Sequence, residues 1–344
     1  MTREPDFWWR PGSGNLLIPL AAIYGTVAAL RMQSSGHRAR LPVICLGNLT
    51  VGGAGKTPAA IAVAQLLHAA HERPFFLSRG YGGGLSGPVR VNPAIHLARD
   101  VGDEPLLLSR LAPTIVARDR VAGIKLAQFA GAGVVVMDDG LQNSALVKDL
   151  TIIVVDGRRG VGNGHIIPAG PMRAPLGLQL ERAQALIVVG APDGAALVLD
   201  RARRRGLNIF HARFDPDRNV IAAIGRRKVL AFAGIGDPEK FFATLAAAGI
   251  DVADRASFPD HHRYTAAQAR DLIARAQAKN RMLVTTEKDL VRLSGEPQLE
   301  ALAARTSALP VRLVIDEQDL FRQTVLKAVS SFRHTAAGQQ ARNP

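Results

Sequence analysis

The stretch VICLGNLTVGGAGKTP, Val43 to Pro58, constrains the chain more tightly than any other. A short apolar run stops at Gly47, and Gly-Gly-Ala-Gly-Lys-Thr follows. A buried strand, a glycine-rich loop and then a helix set backbone N–H groups and a helix dipole where an anion can sit. Thr50, Val51, Gly52, Gly53, Ala54, Gly55, Lys56 and Thr57 are the expected nucleotide-binding residues. The glycines admit phosphate without Cβ clashes, the Lys56 ammonium reaches the terminal phosphates, and the Thr57 hydroxyl suits Mg²⁺. The strict pattern has glycine where this chain has Thr50, so the loop is a variant.

The neighbouring strands read the same way. FFLSR (75–79), TIVAR (114–118), VVVMD (134–138), TIIVVD (151–156) and ALIVVG (185–190) are continuous apolar runs. Such runs suit strands buried on both faces of a parallel sheet. Helices are expected from Pro58 to His71 and from Asp119 to Ala130. The run GVVVMDDG ends in two acids, and Asp138 and Asp139 are both candidates to hold Mg²⁺ beside the loop. Arg79 stands at a strand end, where α/β proteins bind ligands, and Arg173 lies in PAGPMRAP. Either could clamp phosphate or form a plain ion pair.

The fold expected is α/β, P-loop NTPase-like and doubly wound, with a mainly parallel sheet and a second, smaller α/β domain. Residues 1–40 form an apolar N-terminal segment, 41–225 the nucleotide-binding domain, 226–333 the smaller domain with VRLVIDE as one of its strands, and 334–344 a disordered tail. No charge occurs between Arg10 and Arg31. The apolar core of that stretch, Leu16 to Leu30, would span roughly 22 Å as helix, short of the ~30 Å hydrocarbon core. It can lie in one leaflet, pack on the protein's own core, or be a signal peptide. Glu4 and Asp6 spoil the basic start that the last requires. The expectation adopted is a monotopic, membrane-associating helix.

The 344 residues carry 43 Lys+Arg against 29 Asp+Glu, so a polyanionic partner is expected. Nine of the basic residues fall between Arg201 and Lys228 against two acids, which reads as a solvated helix face with a basic linker, or as a docking surface for anionic lipid. Aromatic residues are scarce, which argues against a stacking platform for single-stranded nucleic acid. One cysteine, Cys45, sits in an apolar run and excludes an internal disulfide.

Taken in order, GNLTVGGAGKTP, SRGYGG, VGDEPLLL, DDGLQN, GNGHIIPAGPMRAP, FPDHH and TTEKD resemble the tetraacyldisaccharide 4'-kinases of lipid A biosynthesis. The resemblance runs from about Phe7 to Leu293. It implies ATP- and Mg²⁺-dependent phosphorylation of the 4'-hydroxyl of a tetraacylated glucosamine disaccharide 1-phosphate, giving lipid IVA at the cytoplasmic face of the inner membrane of a Gram-negative bacterium. It also implies a base formed by Asp103 with His261 from the second domain; His262 is the adjacent alternative. Glu287, Lys288 and Asp289 receive no role. Three positions depart from the family pattern: Ala174 for Glu, which removes an expected metal ligand, Asn143 for His, and Ala54 for Thr. The competing readings are a membrane-attached P-loop ATPase switch without a small-molecule acceptor and a nucleic-acid-dependent ATPase, with nucleic acid not expected as a partner.

Overall fold

The computed structural model describes residues 4–340. In chain order the strands are β1 (Val43–Gly47), β2 (Pro74–Ser78), β3 (Val89–Arg90), β4 (Thr114–Val116), β5 (Val134–Asp138), β6 (Leu150–Asp156), β7 (Ala185–Val189), β8 (Asn208–Pro216), β9 (Val229–Ala233), β10 (Val252–Ser257), β11 (Met282–Thr286), β12 (Thr306–Leu309) and β13 (Val311–Ile315). Nine of them form one sheet in the order β13-β8-β7-β6-β1-β5-β2-β4-β3; the other four form a parallel sheet, β10-β9-β11-β12. Only the outermost pairs of the large sheet, β13 with β8 and β3 with β4, are antiparallel.

The apolar runs account for this arrangement. β1, β2, β5, β6 and β7 are buried along their whole length, because helices cover both faces. Helix Lys56–Ala69 turns Ala59, Ala60, Val63, Ala64 and Leu67 onto one face of the sheet. Leu176, Leu180, Val198, Leu199 and Ala202 cover the other. β1 lies between β5 and β6, and the chain leaving β1 crosses over β5 to reach β2. That reversal opens a crevice at the carboxyl ends of β1 and β5, the position where open α/β sheets take ligands.

Three features differ from the sequence-based expectations. β8 runs through the basic stretch that reads as helix face and linker; its partner is β7, and Phe210 and Ala212 enter the main core. β13 does not join the second domain: it pairs with β8, since its apolar side chains Leu313 and Ile315 complete the main core. The helix that follows, Gln318–Gln340, inserts Phe321, Val325 and Val329 into the same core. The smaller sheet therefore ends near Leu309, short of residue 333. Residues 334–340, expected to be disordered, continue that helix, and 341–344 lie outside the described residues.

Helix Ile18–Gln33 lies on the protein's surface, buried only at Ala21, Gly25 and Met32. The absent side chain at Gly25 is where Ile166 fits, since a Cβ there would stand 2.9 Å from its Cδ1. Leu16, Leu20, Ile23, Tyr24, Val27 and Leu30 are exposed, Leu16 to 97%. The segment Asn15–Gln33 is long and apolar enough to cross a membrane by length and composition.

Candidate active site

A cleft of about 1800 Å³ runs between the two sheets, and its walls include the glycine-rich loop. Gly55 caps helix Lys56–Ala69 at φ 97°, a left-handed conformation that disfavours any residue with a Cβ. Gly52, at φ 92°, lies so close to the Glu4 carboxylate that a Cβ would stand 2.3 Å from Oε1. The N-terminal arm thus enters the same cleft. Glu4 pairs with Arg159 at 3.2 Å, and Trp8 Nε1 donates to Pro168 O at 2.9 Å.

Val51 N–H is spent on Pro171 O at 2.9 Å, and Thr50 O accepts from Arg173 Nε at 3.1 Å. These two residues brace the loop against the segment around residue 172. Lys56 and Thr57 are both buried at the base of the loop.

The two acids after β5 separate in role. Thr57 Oγ1 donates to Asp138 Oδ2 at 3.1 Å, while Asp138 Oδ1 is buried without a hydrogen-bond partner among the described residues. Burial, with the charge of Glu104 adding, pushes the Asp138 carboxyl up to about 7 despite Lys56. A buried, unsatisfied oxygen next to a threonine hydroxyl fits Mg²⁺, which takes one or two protein oxygens and completes its shell with phosphate and water. Asp139 is turned elsewhere. It receives Arg173 Nη1 on both oxygens at 2.9 and 3.0 Å, and Lys56 Nζ lies 3.8 Å away. Burial works against its ionisation, but Lys56 and Arg173 hold it down to about 2. The guanidinium of Arg173 is therefore committed to Asp139 and Thr50, where the sequence had offered a substrate clamp. Asp139 is thus paired with two cations, Arg173 and Lys56. Arg79 is exposed on the cleft wall. Ala174 is fully buried, its carbonyl accepts from Gln179 Nε2 at 2.7 Å, and its methyl group offers no metal ligand.

A test in solution follows from Asp138. Its folded pKa lies above the unfolded value, so the folded chain binds the extra proton and stability falls as pH rises from about 4 to about 7. Asp138→Asn is expected to raise the melting temperature of nucleotide-free protein at pH 7.5 and to flatten that slope. Equal slopes in both proteins would refute the buried, unpaired carboxylate.

Across the cleft, residues far apart in sequence meet. Asp103 opens helix Asp103–Leu108 and is 3% exposed. Its Oδ2 lies 3.2 Å from His261 Nδ1 and accepts from Arg292 Nε at 2.6 Å. Burial would raise the Asp103 carboxyl, but the Arg292 charge and the His261 hydrogen bond hold it well below the usual carboxylate range. Burial would lower His261, but its bond to Asp103 wins and raises it. His261 sits at φ 54°, its N–H donating to Gly234 O at 3.1 Å, and its ring packs edge-on to Tyr81 at 5.0 Å. His262 turns away from Asp103, stacked on Phe258 with Nε2 2.9 Å from Gln268 Oε1.

The segment TTEKD supplies what the sequence left without a role. Lys288 Nζ donates to Glu104 Oε1 at 2.5 Å, joining the lobes beside the Asp103–Arg292 pair. Asp289, fully buried, accepts from Tyr264 Oη at 2.8 Å, Gly234 N at 3.0 Å and Arg292 Nη1 at 2.9 Å. A basic residue five positions after Glu287 is the only trace of Arg292 in the sequence, and nothing in its spacing pairs it with Asp103. On the other flank Lys240 Nζ donates to Asp156 Oδ2 at 2.9 Å and Arg159 pairs with Asp237 at 3.0 Å.

Comparison with known proteins gives one consistent result. A family model described as tetraacyldisaccharide-1-P 4'-kinase (LpxK) matches residues 14–330. The chain is 50% identical to the tetraacyldisaccharide 4'-kinase of Rhodopseudomonas palustris strain BisA53, over 96% of this chain and 97% of that one. It is 51% identical to that of strain BisB18, over 98% and 99%, and 49% identical to that of Nitrobacter hamburgensis, over 96% and 99%. Among solved structures, LpxK from Aquifex aeolicus in complex with ATP superposes with a TM-score of 0.71 at 25% identity, covering 92% of this chain and 99% of that one.

Proposed function

The chain belongs to the tetraacyldisaccharide-1-P 4'-kinase family, and from that premise we propose how its own residues carry out the reaction. It is an ATP-dependent kinase of lipid A synthesis that phosphorylates the 4'-hydroxyl of a tetraacyldisaccharide 1-phosphate to give lipid IVA. The observation that carries the mechanism is the placing of two devices at one cleft. A phosphate loop ends in Lys56 and Thr57, and an acid–imidazole pair is contributed by two different sheets.

Phosphoryl transfer to an alcohol needs in-line positioning, neutralised phosphate charge and a proton acceptor. Gly52 to Gly55 cradle the triphosphate through backbone N–H groups, and Lys56 meets its terminal charge. Thr57 and Asp138 would hold Mg²⁺, which neutralises charge on the β- and γ-phosphate oxygens when bound. Asp139, tied to Lys56 and Arg173, fixes the lysine and braces the loop. Asp103 and His261 accept the proton of the 4'-hydroxyl, and Arg79 offers a cation to the substrate's 1-phosphate. The direct test is transfer of labelled γ-phosphate from ATP to purified tetraacyldisaccharide 1-phosphate; ATP hydrolysis without transfer would refute the kinase mechanism.

Family membership makes this a membrane-associated enzyme of a Gram-negative pathway. The finer reading is a monotopic seat on the cytoplasmic face of the inner membrane. The exposed apolar side of helix Ile18–Gln33 would enter the acyl boundary, and the exposed Arg201, Arg203, Arg204 and Arg205 would meet anionic headgroups. Replacing Leu16, Leu20 and Ile23 together by Asp is expected to abolish cosedimentation with phosphatidylglycerol vesicles while ATP affinity stays within about twofold, since each charge costs up to ~3 kcal/mol in hydrocarbon. A matching fall in ATP affinity would make the helix part of the folded core instead.

A further inference from the structure

The turn after β6 brings a second cation to the phosphate loop. We propose that Arg159 is a further catalytic residue, parked on the carboxylate of Glu4 until the terminal phosphate of ATP takes that carboxylate's place. Arg159 then neutralises charge on the phosphoryl group during transfer. This rests on the kinase reading and deepens it, since that reading leaves Arg159 and the N-terminal arm without a part in the chemistry.

The strand order sets its position. β6 lies beside β1, so the residues that follow Asp156 emerge at the same carboxyl edge as the phosphate loop. Asp156 Oδ1 accepts from Arg158 N at 3.0 Å and Arg159 N at 3.4 Å, and Gly160 N donates to Asp156 O at 2.8 Å, which closes the turn. The Arg159 guanidinium lies over the Trp9 ring, 4.6 Å from its centroid. Its Nη1 is 3.2 Å from Glu4 Oε2, and its Nη2 is 3.0 Å from Asp237 Oδ2. The other oxygen of Glu4 reaches the loop, where a Cβ on Gly52 would stand 2.3 Å from Oε1. Gly236, which precedes Asp237, approaches from the smaller lobe, and a Cβ there would stand 3.1 Å from Gly53 N. One carboxylate therefore bridges the guanidinium and the glycine-rich backbone, and Glu4, Arg159 and Asp237 all line the cleft.

Two oxygens of one carboxylate, one against the loop and one on an arginine, reproduce two oxygens of a phosphate. A guanidinium pairs with either group through the same fork of N–H donors, and a triphosphate brings more negative charge than one side chain. Glu4 is also a costly occupant. Burial raises its carboxyl, and the charges of Asp260 and Asp237 add to that against the pull of Arg159. It stands in irregular backbone ahead of the short helix Asp6–Trp9, so its side chain can turn out without moving a core element. Lys56 and Arg173, by contrast, share Asp139. In the reaction a bond forms between the 4'-oxygen and the γ-phosphorus, and the bond from that phosphorus to the β–γ bridging oxygen breaks. ADP leaves with the electron pair, and the hydroxyl proton passes to the Asp103–His261 pair. Arg159 donates hydrogen bonds to the γ-oxygens and gives up no proton, as in P-loop enzymes that supply an arginine in cis.

The test is the affinity of the full chain, in detergent micelles with Mg²⁺, for ADP and for the non-hydrolysable β,γ-methylene analogue of ATP, both measured by calorimetry. Their ratio reads the contact with the terminal phosphate. Arg159→Gln should weaken binding of the analogue by at least about tenfold, the scale of one lost charge-assisted hydrogen bond, with ADP affinity within about twofold. Glu4→Gln, which leaves Arg159 in place, should tighten the analogue by about fivefold, the worth of one partly exposed ion pair, again with ADP within about twofold. Asp237→Asn breaks the same contact between the lobes but keeps the arginine, and should hold the wild-type ratio. In single-turnover transfer Arg159→Gln should be slower by about 10³-fold. Equal losses for ADP and the analogue in Arg159→Gln would make the residue a structural tie and overturn the proposal. So would weaker binding of the analogue by Glu4→Gln, or a ratio that falls as far in Asp237→Asn. Absence of transfer by wild type, with the ratios shifted as described, would overturn the kinase reading and leave the arginine contact standing.

Discussion

Asp103→Asn is expected to lower kcat by about 10³–10⁴-fold, the loss seen when the acid that orients a catalytic imidazole is made neutral. The amide keeps the shape of the carboxylate but offers an NH₂ group and no charge, so it favours the wrong tautomer of His261. The same change should destabilise the fold. Arg292 is buried and would keep Asp289 as a counter-ion, so breaking its pair with Asp103 costs up to about 3–5 kcal/mol. The sign of the pH effect follows from the depressed carboxyl of Asp103. Its contribution to stability is fully present above the unfolded value of about 4 and is lost as pH falls through the folded value. Chemical denaturation of wild type and Asp103→Asn should therefore differ most near neutrality and converge in acid. A variant as stable as wild type at pH 7 would mean that the buried pair is neutral.

Lys56→Met should reduce transfer by about 10²–10³-fold, the usual loss for one preorganised charge at a reacting phosphate. Lys56 is buried at the floor of the loop, 3.8 Å from Asp139, so its ammonium is held ready before nucleotide arrives. Removing it also leaves Asp139 with Arg173 alone and takes away a charge that keeps Asp138 from rising further. Equilibrium binding of ATP and single-turnover transfer, measured side by side, separate the two effects. Weakened binding with an unchanged single-turnover rate would place Lys56 in ground-state binding and outside the transition state.

The two variants probe different parts of the site, the phosphate loop within the larger lobe and the junction between the lobes, and that is the reason for measuring both. Lys56 and Asp103 both belong to the lobe of the large sheet, whereas His261 and Arg292 come from the smaller lobe and reach Asp103 across the cleft. The further cross-lobe contacts, Lys288 with Glu104 and Lys240 with Asp156, flank the reacting position on two sides. Full assembly of the base therefore depends on the lobes meeting.

The sequence alone determined the phosphate loop, the acids after β5 and the identity of the buried strands. Each is a property of consecutive residues: an apolar run declares a covered strand, and glycine beside lysine declares an anion seat. The tertiary structure decided the rest. It placed β13 and the C-terminal helix on the large sheet, because Leu313, Ile315, Phe321 and Val325 close a core that nearby residues do not foreshadow. It turned Asp139 and Arg173 toward each other and left Asp138 with an oxygen to spare. It also joined Asp103 to His261 and Arg292 across 158 and 189 residues of chain. No periodicity reports such pairs, since they exist only where two packed lobes bring buried charges within hydrogen-bond reach.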